Sequence, residues 1–406
     1  MFIERHLSKT ILNLSNQFPI VLLTGHRQVG KSTILQKTFT DMKYITLDDP
    51  NVFISIKTNA LEFFKLQGTP LIVDEVQKAS ESFSCLKFLV DKDRKNGMYF
   101  LTGSQRFNLM QGVSESLAGR ICILNMFGLS AREIYGDNFD TAFLPTLEYI
   151  TSRNTKIDSD VNLLWQRIHR GCMPELYNNS ELEWESFYAS YLNTYIERDV
   201  NQLAQVGDTL SFMQFVISLA SRTGELLNYD SIAKDVGVDI RTIKKWVSIL
   251  QASGIIYLLN PFSLNVNKRT IKTPKVYFTD TGLVCYLTKW LTPSTLMNGA
   301  MAGQIFETYV FNEIFKSYTN AGKEPNIYFF RNTDGQEVDF LFYQNGVLYP
   351  VEVKKTAQPN LKDIKHFSAL SKFFPTLEVG EGAVVCTYDK VLPLDEKNRI
   401  VPISFI

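Results

Sequence analysis

A chain of 406 residues has room for two or three domains at roughly 150 residues each. Its 42 Lys plus Arg balance 42 Asp plus Glu, 45 % of residues are hydrophobic and 21 % charged, which excludes a disordered chain, a histone-like basic chain and an acidic tail protein. Five cysteines without a C-x-x-C pair signal neither a disulfide framework nor a zinc finger, and no apolar run reaches the ~18 residues of a membrane helix. Glu4 and Arg5 stand where a signal peptide would have its apolar core, so the expected compartment is the cytoplasm, with no membrane association.

In chain order, Ile20 to Leu23, Tyr44 to Leu47, Leu71 to Val73, Tyr99 to Thr102 and Ile121 to Leu124 read as strands. Each is short and continuously apolar, as a parallel strand buried on both faces must be. Residues 131–210 read as a helical lid or connector, with Trp165, Trp184, Phe187, Tyr188, Tyr191 and Tyr195 at helical spacings. In 211–275, two helices flank a Gly237-Val238 turn and a strand begins after Gly254, the pattern of a winged helix. The last segment, 276–406, gives a helix, strands at Ile327 to Phe330, Val338 to Tyr343 and Val347 to Val353, a helix, and a strand at Ala383 to Cys386.

Gly25-His26-Arg27-Gln28-Val29-Gly30-Lys31-Ser32 fits G-x-x-x-x-G-K-[ST], between a strand and an apolar-periodic helix from Thr33 to Phe39. Glycines let backbone N–H groups curl around a β-phosphate, Lys31 reaches the β and γ phosphates, and the Ser32 hydroxyl suits Mg²⁺. The expected ligand is therefore ATP with Mg²⁺, held by residues 25–33. Leu71 to Val73 ends in Asp74-Glu75; Asp74 is placed by the Mg²⁺ and Glu75 by an attacking water, a pair that favours hydrolysis over transfer to an acceptor. Ser104, after the Leu101-Thr102-Gly103 strand end, is a candidate γ-phosphate contact. Arg120 is a candidate arginine finger on a neighbouring subunit's nucleotide, which would imply a homo-oligomer, with a surface salt bridge as the alternative.

These motifs, with Leu47-Asp48-Asp49-Pro50, Leu117-Ala118-Gly119-Arg120 and Tyr195-Ile196-Glu197-Arg198-Asp199-Val200, make the chain resemble prokaryotic AAA+-type ATPases of the AAA_14 kind whose C-terminal half is the DUF4143 domain of unknown function. The likeness runs over nearly the whole chain. His26 and Ser32 depart from the usual loop without loss of phosphate-binding groups. The resemblance implies an α/β protein: a P-loop ATPase core over 1–130, the connector, the winged helix, then a restriction-endonuclease-like domain.

Bottom-up, Asp339 and Glu352 lie on neighbouring predicted strands, with Lys354 on the same face as Glu352 and Glu307 on the preceding helix. Such a set suits metal-assisted phosphodiester cleavage: Glu307, Asp339 and Glu352 on Mg²⁺ or Mn²⁺, Lys354 beside the water. It resembles the PD-(D/E)XK nuclease core, although composition alone supplies about one E-x-K per chain of this length.

Neutrality is an average. Residues 131–190 carry ten acids against five bases, while Asn228 to Lys275 carries eight bases (Lys234, Arg241, Lys244, Lys245, Lys268, Arg269, Lys272, Lys275) against three acids. DNA is thus the expected partner of the winged helix and the C-terminal domain. The alternative is an ATP-dependent switch whose C-terminal half is a binding module without catalysis. A small-molecule kinase is least favoured.

Overall fold

A computed structural model describes residues 2–79, 81–103, 117–195, 209–265 and 273–406. The first five strands, β1 (Ile20–Thr24), β2 (Lys43–Thr46), β3 (Leu71–Asp74), β4 (Tyr99–Gly103) and β5 (Ile121–Asn125), form one sheet in the order β2-β3-β4-β1-β5 with every pairing parallel. Period-2 side chains divide the sheet's two faces. Ile20, Leu22, Leu71, Val73, Tyr99 and Leu101 pack on helices α3 (Pro50–Gln67) and α4 (Glu81–Lys92). Val21, Leu23, Ile72 and Phe100 pack on α1 (Leu7–Ser15) and α2 (Lys31–Thr38) through Leu7, Ile11, Ile34 and Leu35. Central strands buried on both faces therefore carry no polar residue until their carboxyl ends, where Thr24, Asp74 and Thr102 gather.

Trp165 on α5 (Val161–Arg170) and Tyr188 and Tyr191 on α6 (Trp184–Tyr195) are buried in one apolar cluster with the middle and C-terminal parts of the chain. The aromatic density of this helical connector is core material.

Helices α7 (Thr209–Ala220), α8 (Tyr229–Val236) and α9 (Ile240–Ala252) precede an antiparallel ribbon of β6 (Ile256–Leu259) and β7 (Lys275–Phe278), and Leu226 bridges to Lys275 as a third short strand position. Asn228 and Asp239 cap α8 and α9 by accepting from the Ser231 and Thr242 amides, which fixes the turn between the two helices. Trp246 packs on Phe212 and Phe215.

Helix α10 (Ala302–Asn320) then leads into β8 (Ile327–Arg331), β9 (Glu337–Gln344) and β10 (Val347–Lys354), an antiparallel meander. After α11 (Phe367–Phe373) and the short β11 (Glu378–Val379), β12 (Gly382–Cys386) joins β10 in parallel. The edge is completed by β13 (Leu392–Pro393) and β14 (Asn398–Pro402). One sheet face, with Phe340, Val351 and Val385, packs on α10; the other, with Leu341, Leu348 and Val384, packs on α11. No described helix is long and apolar enough to cross a membrane.

Candidate functional site

The loop from β1 to α2 is shaped by three residues with positive φ: Gly25 (+145°), Gln28 (+63°) and Gly30 (+92°). At Gly25 a Cβ would lie 2.1 Å from the Met126 carbonyl oxygen, so only glycine fits. Lys31 is buried, and its ammonium donates to the Gly25 and His26 carbonyls at 2.9 Å each, inside the curve of the loop. Burial, then the Lys31 charge, push the His26 imidazole down to about 3, so it is neutral at pH 7.

Parallel strand order brings Asp74 beside this loop. Its Oδ1 accepts from Ser32 Oγ at 2.7 Å and also from Thr102, and its Oδ2 accepts from Tyr44 OH at 2.7 Å. The next residue, Glu75, adopts a left-handed backbone (φ +56°), which turns its carboxylate away from the strand line, where Gln77 donates to it. Burial, then the Asp74 charge, raise the Glu75 carboxyl above its ordinary range, the direction a general base needs.

A cavity of about 330 Å³ adjoins the loop, lined by Phe2, Ile3, Val29, Gly30, Thr33, Pro174 and Asn178 among others. That is the size class of small-ligand sites. Arg5 also lines it and ties the loop down: Nη1 donates to the Val29 carbonyl at 2.9 Å, Nη2 to that of Phe127 at 2.7 Å, and Nε pairs with Glu133 at 3.0 Å. Sequence reasoning missed Arg5, Phe2, Ile3 and the 174–178 segment, because no local pattern marks residues that meet the loop only in three dimensions.

Arg120 sits at the amino end of β5, across the sheet from Gly25. Its guanidinium is engaged by Asp91 through Nε (2.5 Å) and Nη2 (2.9 Å), the salt-bridge alternative. Ser104 lies outside the described residues, as do Lys268, Arg269, Lys272 and 196–200.

The C-terminal acids do converge. Glu307 on α10, Glu337 and Asp339 on β9 and Glu352 with Lys354 on β10 lie in one pocket, but Lys275 of β7 stands among them. Its Nζ is 3.2 Å from Glu307, 2.6 Å from Glu337 and 3.9 Å from Asp339. Lys354 pairs with Glu352 at 2.6 Å. Burial first, with neighbouring carboxylates, pushes Glu307 up to about 7 and Glu352 up to about 8. Lys275, one of the eight bases of residues 228–275, thus sits among these acids, because β7 places it beside the C-terminal sheet.

The two halves meet behind the loop. Lys316 on α10 donates to the Leu129 carbonyl at 2.8 Å, Glu313 accepts from the Ala131 amide at 2.7 Å, and a Cβ on Gly254, at the end of α9, would lie 3.7 Å from the His26 nitrogen.

Residues 17–135 match the family described as an AAA domain, and 161–294 and 302–406 match two domains of unknown function, DUF8612 and DUF4143. Uncharacterized proteins of Mycobacterium bovis and Mycobacterium tuberculosis are each 25 % identical over 406 residues, spanning 99 % of this chain and 84 % of theirs. Among solved structures, a Walker-type ATPase of Pyrococcus abyssi is similar at 14 % identity and TM-score 0.40, over 70 % of this chain and 96 % of that one. AMPPCP-bound DnaA of Aquifex aeolicus is similar at 14 % and 0.30, over 60 % and 85 %. The AAA match spans the loop, the Ser32–Asp74 contact and Glu75, and it supports an AAA-type ATPase as the N-terminal part of this chain.

Proposed function

We propose that this chain binds and hydrolyses ATP at the β1–α2 loop and uses the nucleotide to govern the winged-helix and C-terminal parts packed behind it. The observation that carries the reading is the Lys31–Ser32–Asp74–Glu75 arrangement at the carboxyl edge of a fully parallel sheet. The donors fit a Mg²⁺–triphosphate: glycine-lined backbone amides, one buried ammonium, and a hydroxyl on a carboxylate. Ser32 and Asp74 would hold Mg²⁺, which would neutralise charge at the phosphates. Lys31 holds the phosphates, Glu75 orients and deprotonates the attacking water, and the base and ribose take the cavity between Ile3, Val29 and Pro174. The test is equilibrium binding of a fluorescent ATP analogue. Wild type binds it saturably and Lys31→Ala weakens it by ~100-fold; equal affinity in the two proteins refutes the assignment.

A second reading, DNA engagement, is favoured by α9. Arg241, Lys244 and Lys245 lie on its exposed side, opposite the buried Ile243, Trp246, Val247 and Leu250. The order of α10, the antiparallel meander, α11 and the parallel β12 supports a restriction-endonuclease-like C-terminal fold. Mobility shifts of duplex DNA at low salt test it: Lys244→Ala with Lys245→Ala weakens binding and lowers the salt slope by about two. A slope unchanged by the double substitution removes α9 from the interface.

A further inference from the structure

In a metal-dependent phosphodiesterase the C-terminal acids would ligate a divalent cation, and their present partners test whether they fit one. Mg²⁺ demands oxygen ligands at about 2.0–2.1 Å in octahedral array. The space bounded by α10, β7 and β9 holds instead the Lys275 ammonium, in contact with Glu307 and Glu337 and 3.9 Å from Asp339. Tyr277 OH donates to the same Glu307 oxygen at 2.6 Å, the Val353 amide donates to Asp339 Oδ2 at 2.9 Å, and Lys354 pairs with Glu352. Each carboxylate therefore has a cationic, N–H or O–H partner. Among the described residues no group of three or more His, Cys, Asp or Glu is arranged to hold a metal ion.

The Lys275 side chain is only 5 % exposed, and its ammonium stays charged because three carboxylates outweigh the cost of burial. Its backbone is fixed from two sides, opposite Leu259 in the β6–β7 ladder and bridged to Leu226. The winged-helix ribbon thus delivers the charge, and Lys275 cannot leave the pocket without movement of that ribbon.

We infer that Lys275 is the resident cation of the C-terminal acid pocket and excludes a divalent ion from it, so that the pocket is an ionic lock between the winged-helix ribbon and the C-terminal sheet. This replaces the expectation of Mg²⁺ on Glu307, Asp339 and Glu352. It stands independently of the ATPase reading.

The test is Mn²⁺ binding to the full chain without nucleotide, by electron paramagnetic resonance of free Mn²⁺, for wild type, Asp339→Asn, Lys275→Met and Lys275→Met with Asp339→Asn. Any Mn²⁺ held at Ser32 and Asp74 is common to all four. Wild type and Asp339→Asn are expected to bind equal numbers of ions, Lys275→Met to bind one more, and the double variant to lose that ion. Lys275→Gln, whose amide still donates to the acids, takes the place of the methionine variant if that does not fold. An Mn²⁺ present in wild type and lost in Asp339→Asn overturns the inference, as does a Lys275→Met or Lys275→Gln protein that folds and binds no more than wild type.

Discussion

Replacing Arg5 by methionine removes the charge that balances Glu133 while keeping most of the side-chain volume. The pair is fully interior, with side chains 3 % and 0 % exposed and Nε 3.0 Å from Oε1. Burial works to raise the Glu133 carboxyl, and Arg5 with the Ser130 amide outweighs it, holding the group below the ordinary carboxylate range. Without Arg5 the carboxylate keeps the Ser130 and His6 amides but loses its counter-charge, and the Val29, Phe127 and Gly128 carbonyls lose their shared donor. Breaking one side of such a pair costs about 3–5 kcal/mol. Urea unfolding followed by circular dichroism measures it, with Glu133→Gln and the double variant completing the cycle. The double variant is expected to recover about 1–3 kcal/mol, because the orphaned charge is gone. Because Arg5 also holds the Val29 carbonyl, ATP affinity falls about tenfold in Arg5→Met, equivalent to about 1.4 kcal/mol. A loss under about 1 kcal/mol, or strictly additive single effects, would refute the reasoning.

Gly25→Ala puts a Cβ against the Met126 carbonyl at a positive φ, and is expected to cost more than about 3 kcal/mol and to abolish nucleotide binding; thermal unfolding near the wild-type midpoint would contradict the tight approach. Folding stability should depend on pH through His26, whose neighbours include Lys31, Arg5 and Lys316. Its imidazole takes a proton near 6.5 when unfolded and only at about 3 when folded, so stability is full above pH 6.5 and is lost as pH falls through the window between those values. The slope from this group is about 1.4 kcal/mol per pH unit, and His26→Gln should remove it; a variant as acid-sensitive as wild type between pH 6 and 4 sinks the assignment. If Arg120 is a surface partner of Asp91, Arg120→Ala leaves ATP turnover per chain within about twofold and independent of protein concentration; a large loss restores the finger role.

The parallel sheet was legible because strands buried on both faces leave continuous apolar runs, and all five predicted strands match the observed ones to within a residue or two at their ends. The loop was legible because its chemistry is local: glycines, lysine and hydroxyl act from adjacent positions. What sequence could not convey was meeting in space. Arg5 reaches Glu133 across 128 residues, and Lys275 reaches Glu337 on a different sheet. Lys275 is one of the basic residues of its own segment, but strand β7 hands its ammonium to the acids of another. The connector's aromatics stand at helical spacings, but only the fold shows what they face: Trp165 on α5 and Tyr188 and Tyr191 on α6 are buried in one shared core.

Phosphate release from bound ATP in a single turnover tests the central claim most directly. With Mg²⁺, wild type is expected to convert bound ATP to ADP and phosphate, Glu75→Gln to bind ATP yet release phosphate ~10²–10⁴-fold more slowly, and Lys31→Ala to retain no ATP. Phosphate release by Lys31→Ala at the wild-type rate, or by Glu75→Gln without delay, would contradict it.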